Sequence, residues 1–252
     1  MLKNIKLINY RAKRKLIEVL ENSNSDVKQP MLSQGCIEYL VDILEPTDVV
    51  FEYGSGGSTT LFPHFVKKYI TVEHTPDWYV KVKGWTKDIK NLDSYLVPPN
   101  FTKEEPSMKD PGAHYENRFC EKTHGKSVIT EKEYNEILKE FPYAKEGPIY
   151  SSIVRYWQFK DYVNKIKDFP DTKFDKIIID GRSRTFCSYI AKDYMHKDSI
   201  LIIDDAFSTH PRWKFSPEEE KVTRFQVEWG DSLNDKYKII MEIDGMSFWK
   251  LK

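Results

Sequence analysis

Several things are scarce in this chain of 252 residues, and each scarcity excludes a class of protein. There are three cysteines, Cys36, Cys120 and Cys187, an odd number without a C-x-x-C pair. That argues against a disulfide framework and a cysteine-based zinc site, and for a reducing, cytoplasmic setting. No apolar run approaches the roughly 18 residues of a membrane span, and no secretory signal opens the chain. Neither sign of charge is in excess: 39 Lys and Arg face 39 Asp and Glu. No net field therefore draws the chain to nucleic acid, and there is no Asn-Pro-Pro-aromatic stretch of the kind that accompanies base flipping. No internal repeat is visible.

What is present is ample material for a core, with 40% hydrophobic and 31% charged residues. The first residues alternate basic (Lys3, Lys6, Arg11, Lys13, Arg14, Lys15) with apolar (Leu2, Ile5, Ile8, Leu16, Ile17, Leu20). The pattern predicts a packed amphipathic helix with a solvated basic face; a membrane-surface helix is the alternative. Ser33 is placed to cap a second helix carrying Cys36, Tyr39, Leu40, Ile43 and Leu44 on one face.

Strand and helix patterns then alternate. Strands are predicted at 49–53, 69–73, 95–97, 174–180 and 200–204, with helices at 58–68, 77–87, 152–167 and 185–196. Tyr237–Ile243 and Met246–Leu251 flank Asp244-Gly245, a hairpin signal. This order predicts an α/β, Rossmann-like three-layer sandwich: a mostly parallel seven-stranded sheet with a C-terminal antiparallel hairpin. The reading is one domain over 1–252, with an N-terminal helical segment at 1–45. Between about 100 and 150 the periodicity fails amid prolines and glycines, which predicts a lid or substrate-binding insertion with one helix near 131–140.

The most informative stretch is Phe51-Glu52-Tyr53-Gly54-Ser55-Gly56-Gly57-Ser58-Thr59-Thr60. Glycines permit a sharp turn and close backbone approach, and the helix start that follows offers free N–H groups. A dinucleotide fingerprint would need a third glycine where Thr59 stands, which weighs against a NAD-type oxidoreductase. Glu73 ends the second strand in Thr71-Val72-Glu73-His74, where a carboxylate can accept both hydroxyls of a ribose. Asp180 ends the fourth strand, and Asp204-Asp205 the fifth. Neighbouring strand ends would bring three carboxylates together, which demands a cation, a proton or a basic partner; Arg182 and Arg184 are the basic residues at hand.

The glycine stretch resembles motif I of the class I S-adenosylmethionine-dependent methyltransferases. The resemblance implies S-adenosylmethionine as cofactor, held by Glu52, Gly54, Ser55, Gly56, Ser58, Thr59, Glu73 and His74. Asp180, Asp204 and Asp205 further resemble the metal ligands of the catechol-type and macrolide-sugar O-methyltransferases, which implies Mg²⁺ or Mn²⁺. In the catechol type a lysine base stands where this chain has Ser183. The base expected here is Asp180, with His114 and His210 behind it. Gly-Ser-Gly-Gly-Ser-Thr-Thr, Val-Glu-His and Asp-Gly-Arg together resemble the plant glucuronoxylan methyltransferase-like group, over about 49–80 and 174–213. The function expected is therefore O-methylation of a hydroxyl on a sugar or glycan precursor, with no nucleic-acid partner and no membrane insertion. A NAD-type oxidoreductase and a non-catalytic cofactor-binding subunit are the alternatives.

Overall fold

The computed structural model describes residues 10–22, 27–99, 136, 139, 159–204 and 236–252. Two helices come first, α1 (Tyr10–Asn22) and α2 (Gln34–Ile43). The Ser33 side chain accepts the Cys36 N–H at 3.2 Å and so starts α2 where its sequence predicts. Lys15 of α1 donates to the carbonyls of Val41, Asp42 and Leu44, the orphan acceptors at the end of α2. Ala12 and Leu16 are buried, whereas Arg11, Lys13 and Arg14 are exposed, so α1 packs by its apolar face.

The α/β unit follows: β1 (Val49–Tyr53), α3 (Gly57–Leu61), β2 (Lys68–Glu73), α4 (Pro76–Trp85) and β3 (Leu92–Leu96). After these come α5 (Lys160–Asn164), β4 (Phe174–Ile179), α6 (Arg184–Ala191), β5 (Met195–Ile203), β6 (Tyr237–Ile243) and β7 (Met246–Leu251). The seven strands form one sheet in the order β3-β2-β1-β4-β5-β7-β6. All neighbours from β3 to β5 run parallel, while β7 is antiparallel to both β5 and β6. Asp244 and Gly245, both at positive φ (46° and 90°), turn the hairpin as that dipeptide dictates.

Strand alternation sends side chains to two cores. Phe51, Tyr53, Val72, Ile177, Ile179 and Leu201 face Tyr162, Phe186 and Ile190. Val50, Tyr69, Ile178 and Ile202 face Leu16, Leu40, Leu61 and Phe62. With both faces covered, the central strands read as near-continuous apolar runs.

Several boundaries differ from the sequence reading, three of them with a visible cause. The helix expected over 58–68 lasts five residues and tightens into a 3₁₀ turn at Phe62–Phe65, because Pro63 has no N–H to give to an α-helical ladder. The third strand starts at Leu92, where pairing with Tyr69 holds polar residues that alternation alone had left in a loop. The helix expected to reach His196 stops at Ala191. Met195 pairs with Phe174 instead, so His196 lies in β5, with its ring 3.0 Å from Asp175. Among the described residues no helix is long and apolar enough to cross a membrane.

Candidate active site

The order places β1 between β2 and β4, so chain connections diverge to either side of it. In such sheets the crevice forms beyond the strand C-termini at this point. The ladder continues past the strand ends and fixes what projects there. Gly54 donates to Val72 O (2.8 Å), Asp180 to Tyr53 O (2.9 Å) and Asp204 to Ile179 O (3.1 Å). The glycine turn, Asp180 and Asp204 therefore sit in a row on three adjacent strands.

Each glycine of the turn has a different task. Gly54 has φ +92°, and a Cβ there would lie 2.7 Å from Asp180 O and 2.9 Å from Gly181 Cα. A Cβ on Gly57 would collide with the backbone of Gln29 and Pro30, the strap leading into α2. Gly56 is extended, and a Cβ there would meet nothing within 4 Å. Of the three turn glycines only Gly56 borders open space among the described residues.

The carboxylates behind the turn are engaged by the protein. Glu52 is fully buried and accepts hydroxyls from Ser58 (2.6 Å), Thr59 (2.7 Å) and Thr71 (2.7 Å). Thr59 Oγ1 in turn accepts the Gly56 N–H at 2.9 Å. Burial pushes the Glu52 carboxyl above its ordinary range, and the three hydroxyls oppose the rise. The expectation that Glu52 helps hold the cofactor thus meets a side chain that anchors the turn from beneath.

Glu73 braces the turn from the side. Its Oε2 accepts the Ser55 N–H (3.0 Å) and Oγ (3.1 Å), and its Oε1 accepts the N–H groups of His74 and Thr75 (both 2.8 Å). Burial alone would raise this carboxyl, but the His74 ring, 3.0 Å from Oε1, and the two N–H donors hold it below its usual value. Trp78, on α4, ties in Ser55 by donating its indole N–H to the Ser55 carbonyl at 2.7 Å.

Asp180 and Asp204 are joined by Arg184. Its guanidinium lies 3.2 Å from Asp180 Oδ1 and 3.2 Å from Asp204 Oδ2. It also donates to the carbonyls of Gly181 (3.0 Å) and Asp204. Burial pushes Asp180 up to about 8; Arg184 opposes that rise, and Asp204 adds to it. The Asp180 side chain keeps 32% exposure, so it remains open to solvent. His114, His210 and Asp205 lie outside the described residues, as does the insertion apart from Glu136 and Lys139, both helical and exposed. Among the described residues no three His, Cys, Asp or Glu side chains gather as a metal site.

No family profile matches the chain, and no curated protein matches it. Solved structures do match. A methyltransferase-like protein from Silicibacter pomeroyi aligns over 90% of this chain and 89% of its own, at 16% identity and a TM-score of 0.50. Fibrillarin from Aeropyrum pernix, with S-adenosyl-L-methionine natively bound, aligns over 82% and 67% at 8% identity and a TM-score of 0.44. A methyltransferase from Pyrococcus furiosus aligns over 96% of each chain at 13% identity and a TM-score of 0.40. The likeness to the Silicibacter protein is one of fold, the Rossmann-like, mostly parallel sheet described above.

Two features of the site escaped sequence reasoning. Gly181 leaves room for the buried Tyr162 hydroxyl, which a Cβ there would displace. The residue before Arg184, Ser183, adopts φ 50°. Gly181 was visible only as part of Asp-Gly-Arg, and nothing local marks Ser183.

Proposed function

We propose that this protein is an S-adenosylmethionine-dependent methyltransferase acting on a hydroxyl of a sugar or glycan precursor, with Asp180 as the base. The observation that carries the reading is the open face of Gly56 in a turn otherwise fixed on every side. The neighbouring glycines are filled by backbone, and Glu52 and Glu73 lock the hydroxyls and N–H groups around them. A turn held this rigidly, with one bare backbone face, suits a ligand that must come within van der Waals contact of the chain.

The residues fit the cofactor. Gly56 presents the open face, Trp78 holds the adjoining Ser55 carbonyl, and Glu73 lies at the end of β2, where the ribose of such a cofactor would reach. Glu73 already accepts four hydrogen bonds from the chain, so ribose would share or exchange some of them. S-adenosylmethionine, when bound, supplies a methyl group whose C–S bond breaks toward sulfur as a bond to the acceptor oxygen forms. Asp180 takes the proton that the acceptor hydroxyl gives up. Its raised proton affinity suits a base working near neutral pH. The rest of the rate gain comes from holding oxygen and methyl in line. The sugar acceptor rests on the sequence resemblance to glucuronoxylan and macrolide-sugar methyltransferases.

Calorimetry with S-adenosylhomocysteine and, separately, NAD tests the cofactor. Binding of the former and not of the latter is expected. Labelled S-adenosylmethionine with a panel of sugars, glycans and phenols then tests the acceptor. Binding of NAD alone would overturn the reading, and labelling confined to phenols would overturn its sugar half.

A further inference from the structure

We infer that the Arg184 guanidinium occupies, as a built-in cation, the place between the ends of β4 and β5 where a metal-dependent methyltransferase would hold its divalent ion. This rests on the proposed function above. The sequence resemblance implied a metal at Asp180, Asp204 and Asp205, because converging carboxylates need a positive charge. The described pair has that charge already. Arg184 reaches one oxygen of each carboxylate and two carbonyls, those of Gly181 and Asp204, with its three nitrogens. The fork shape of the guanidinium permits this; an ammonium could not serve four acceptors in so fixed a geometry.

A second observation is independent of the ion pairs. Ser183 holds a left-handed conformation, φ 50° and ψ 39°, at the cap of α6. A residue with a Cβ adopts that conformation only where its surroundings impose it, and such strain collects at functional sites. Here it sets the entry of α6, so that Arg184 in the first helical turn folds back over the strand ends. The Arg184 side chain is 13% exposed, which keeps the guanidinium largely out of water. A dication seated on Asp180 and Asp204 would have to displace this guanidinium or sit against it, and Coulomb repulsion in a partly desolvated site opposes the second course. The described residues therefore do not fit a metal centre, and no step of the proposed transfer is routed through one.

The test is Mn²⁺ binding followed by electron paramagnetic resonance on chelator-treated protein, with S-adenosylhomocysteine binding measured on the same samples. The wild type should take up no stoichiometric Mn²⁺ at millimolar metal. Arg184→Gln should gain one weak Mn²⁺ site, and adding Asp204→Asn should remove it. Arg184→Lys, which keeps the charge, should stay metal-free. One tightly bound Mn²⁺ per wild-type chain, lost in Asp204→Asn, would overturn the inference even if Arg184→Gln fails to fold. So would a folded Arg184→Gln protein with no gain in metal binding. Failure of every sample to bind S-adenosylhomocysteine would instead count against the proposed function, leaving the Mn²⁺ result to judge Arg184.

Discussion

Replacing Gly54 and Gly56 separately by alanine or valine should split stability from ligand binding. At Gly54 two costs combine. Its φ of +92° is unfavourable for any residue with a Cβ, at about 1–2 kcal/mol. The new methyl group would also lie 2.7 Å from Asp180 O, 2.8 Å from Asp180 C and 2.9 Å from Gly181 Cα. All three are backbone atoms of a central strand end, which cannot swing aside as a flexible side chain would, so overpacking adds about 1–3 kcal/mol. Gly54→Ala should therefore lose about 2–5 kcal/mol, from a total that is typically about 5–15 kcal/mol. For a chain of this length that lowers Tm by roughly 5–15 °C. Gly56 carries neither cost: its φ of 179° is extended, and its Cβ position is empty. Gly56→Val should melt within about 2 °C of wild type, since surface changes away from special features stay near 0.5 kcal/mol. Yet its side chain would occupy the space assigned to the cofactor, and S-adenosylhomocysteine affinity should fall at least tenfold. Thermal melting by circular dichroism and calorimetric titration read the two effects. A wild-type Tm for Gly54→Ala would refute the packing argument. Unchanged affinity for Gly56→Val would refute the assignment of the open face.

Glu73→Ala strips acceptors from Ser55, His74 and Thr75 and should weaken S-adenosylhomocysteine by about 1–3 kcal/mol; an unchanged Kd would remove Glu73 from the site. As the proposed base Asp180 would act deprotonated, and its affinity for the proton is raised, so kcat/KM should climb with pH and level off above about 8; a profile flat from pH 6 to 9 would argue against this base. The same shift acts on stability with the opposite sense. A carboxyl raised to about 8 in the folded state contributes stability that is full below its unfolded value near 4 and fades as pH rises through about 8. Asp180→Asn should therefore flatten that part of the stability profile, as read by denaturant melts across this window. At the opposite end of the sheet, Lys176 and Asp48 form a buried pair at 2.9 Å, and Lys176→Met should cost about 3–5 kcal/mol by stranding the Asp48 charge; a loss under 1 kcal/mol in a urea melt would show that water reaches Asp48.

The order of strands and helices, the terminal hairpin and the glycine turn were legible in the sequence because each depends on local chemistry. Apolar runs such as Ile177–Ile179 and Leu201–Ile203 mark strands covered on both faces, and Asp244-Gly245 accepts the positive φ that its turn requires. The same local logic brought out Glu52, Glu73, Asp180 and Asp204 as strand-end carboxylates. It went astray where partners are remote. Met195 and His196 continue a helical pattern, and only pairing of Met195 with Phe174 draws them into β5.

What each carboxylate does was decided by tertiary contact. The sequence puts Glu52 and Glu73 at strand ends, but whether they face a ligand or the protein depends on Ser58, Thr71, Ser55 and His74, brought together by the closing of the turn against β2. The sequence likewise determined that Asp180 and Asp204 need a positive charge beside them, since parallel neighbours with like charges repel. It left open which charge. Arg184 answers, because the reversed backbone at Ser183 turns the first residue of α6 over two strand ends, and no one-dimensional pattern records the direction in which a side chain folds back.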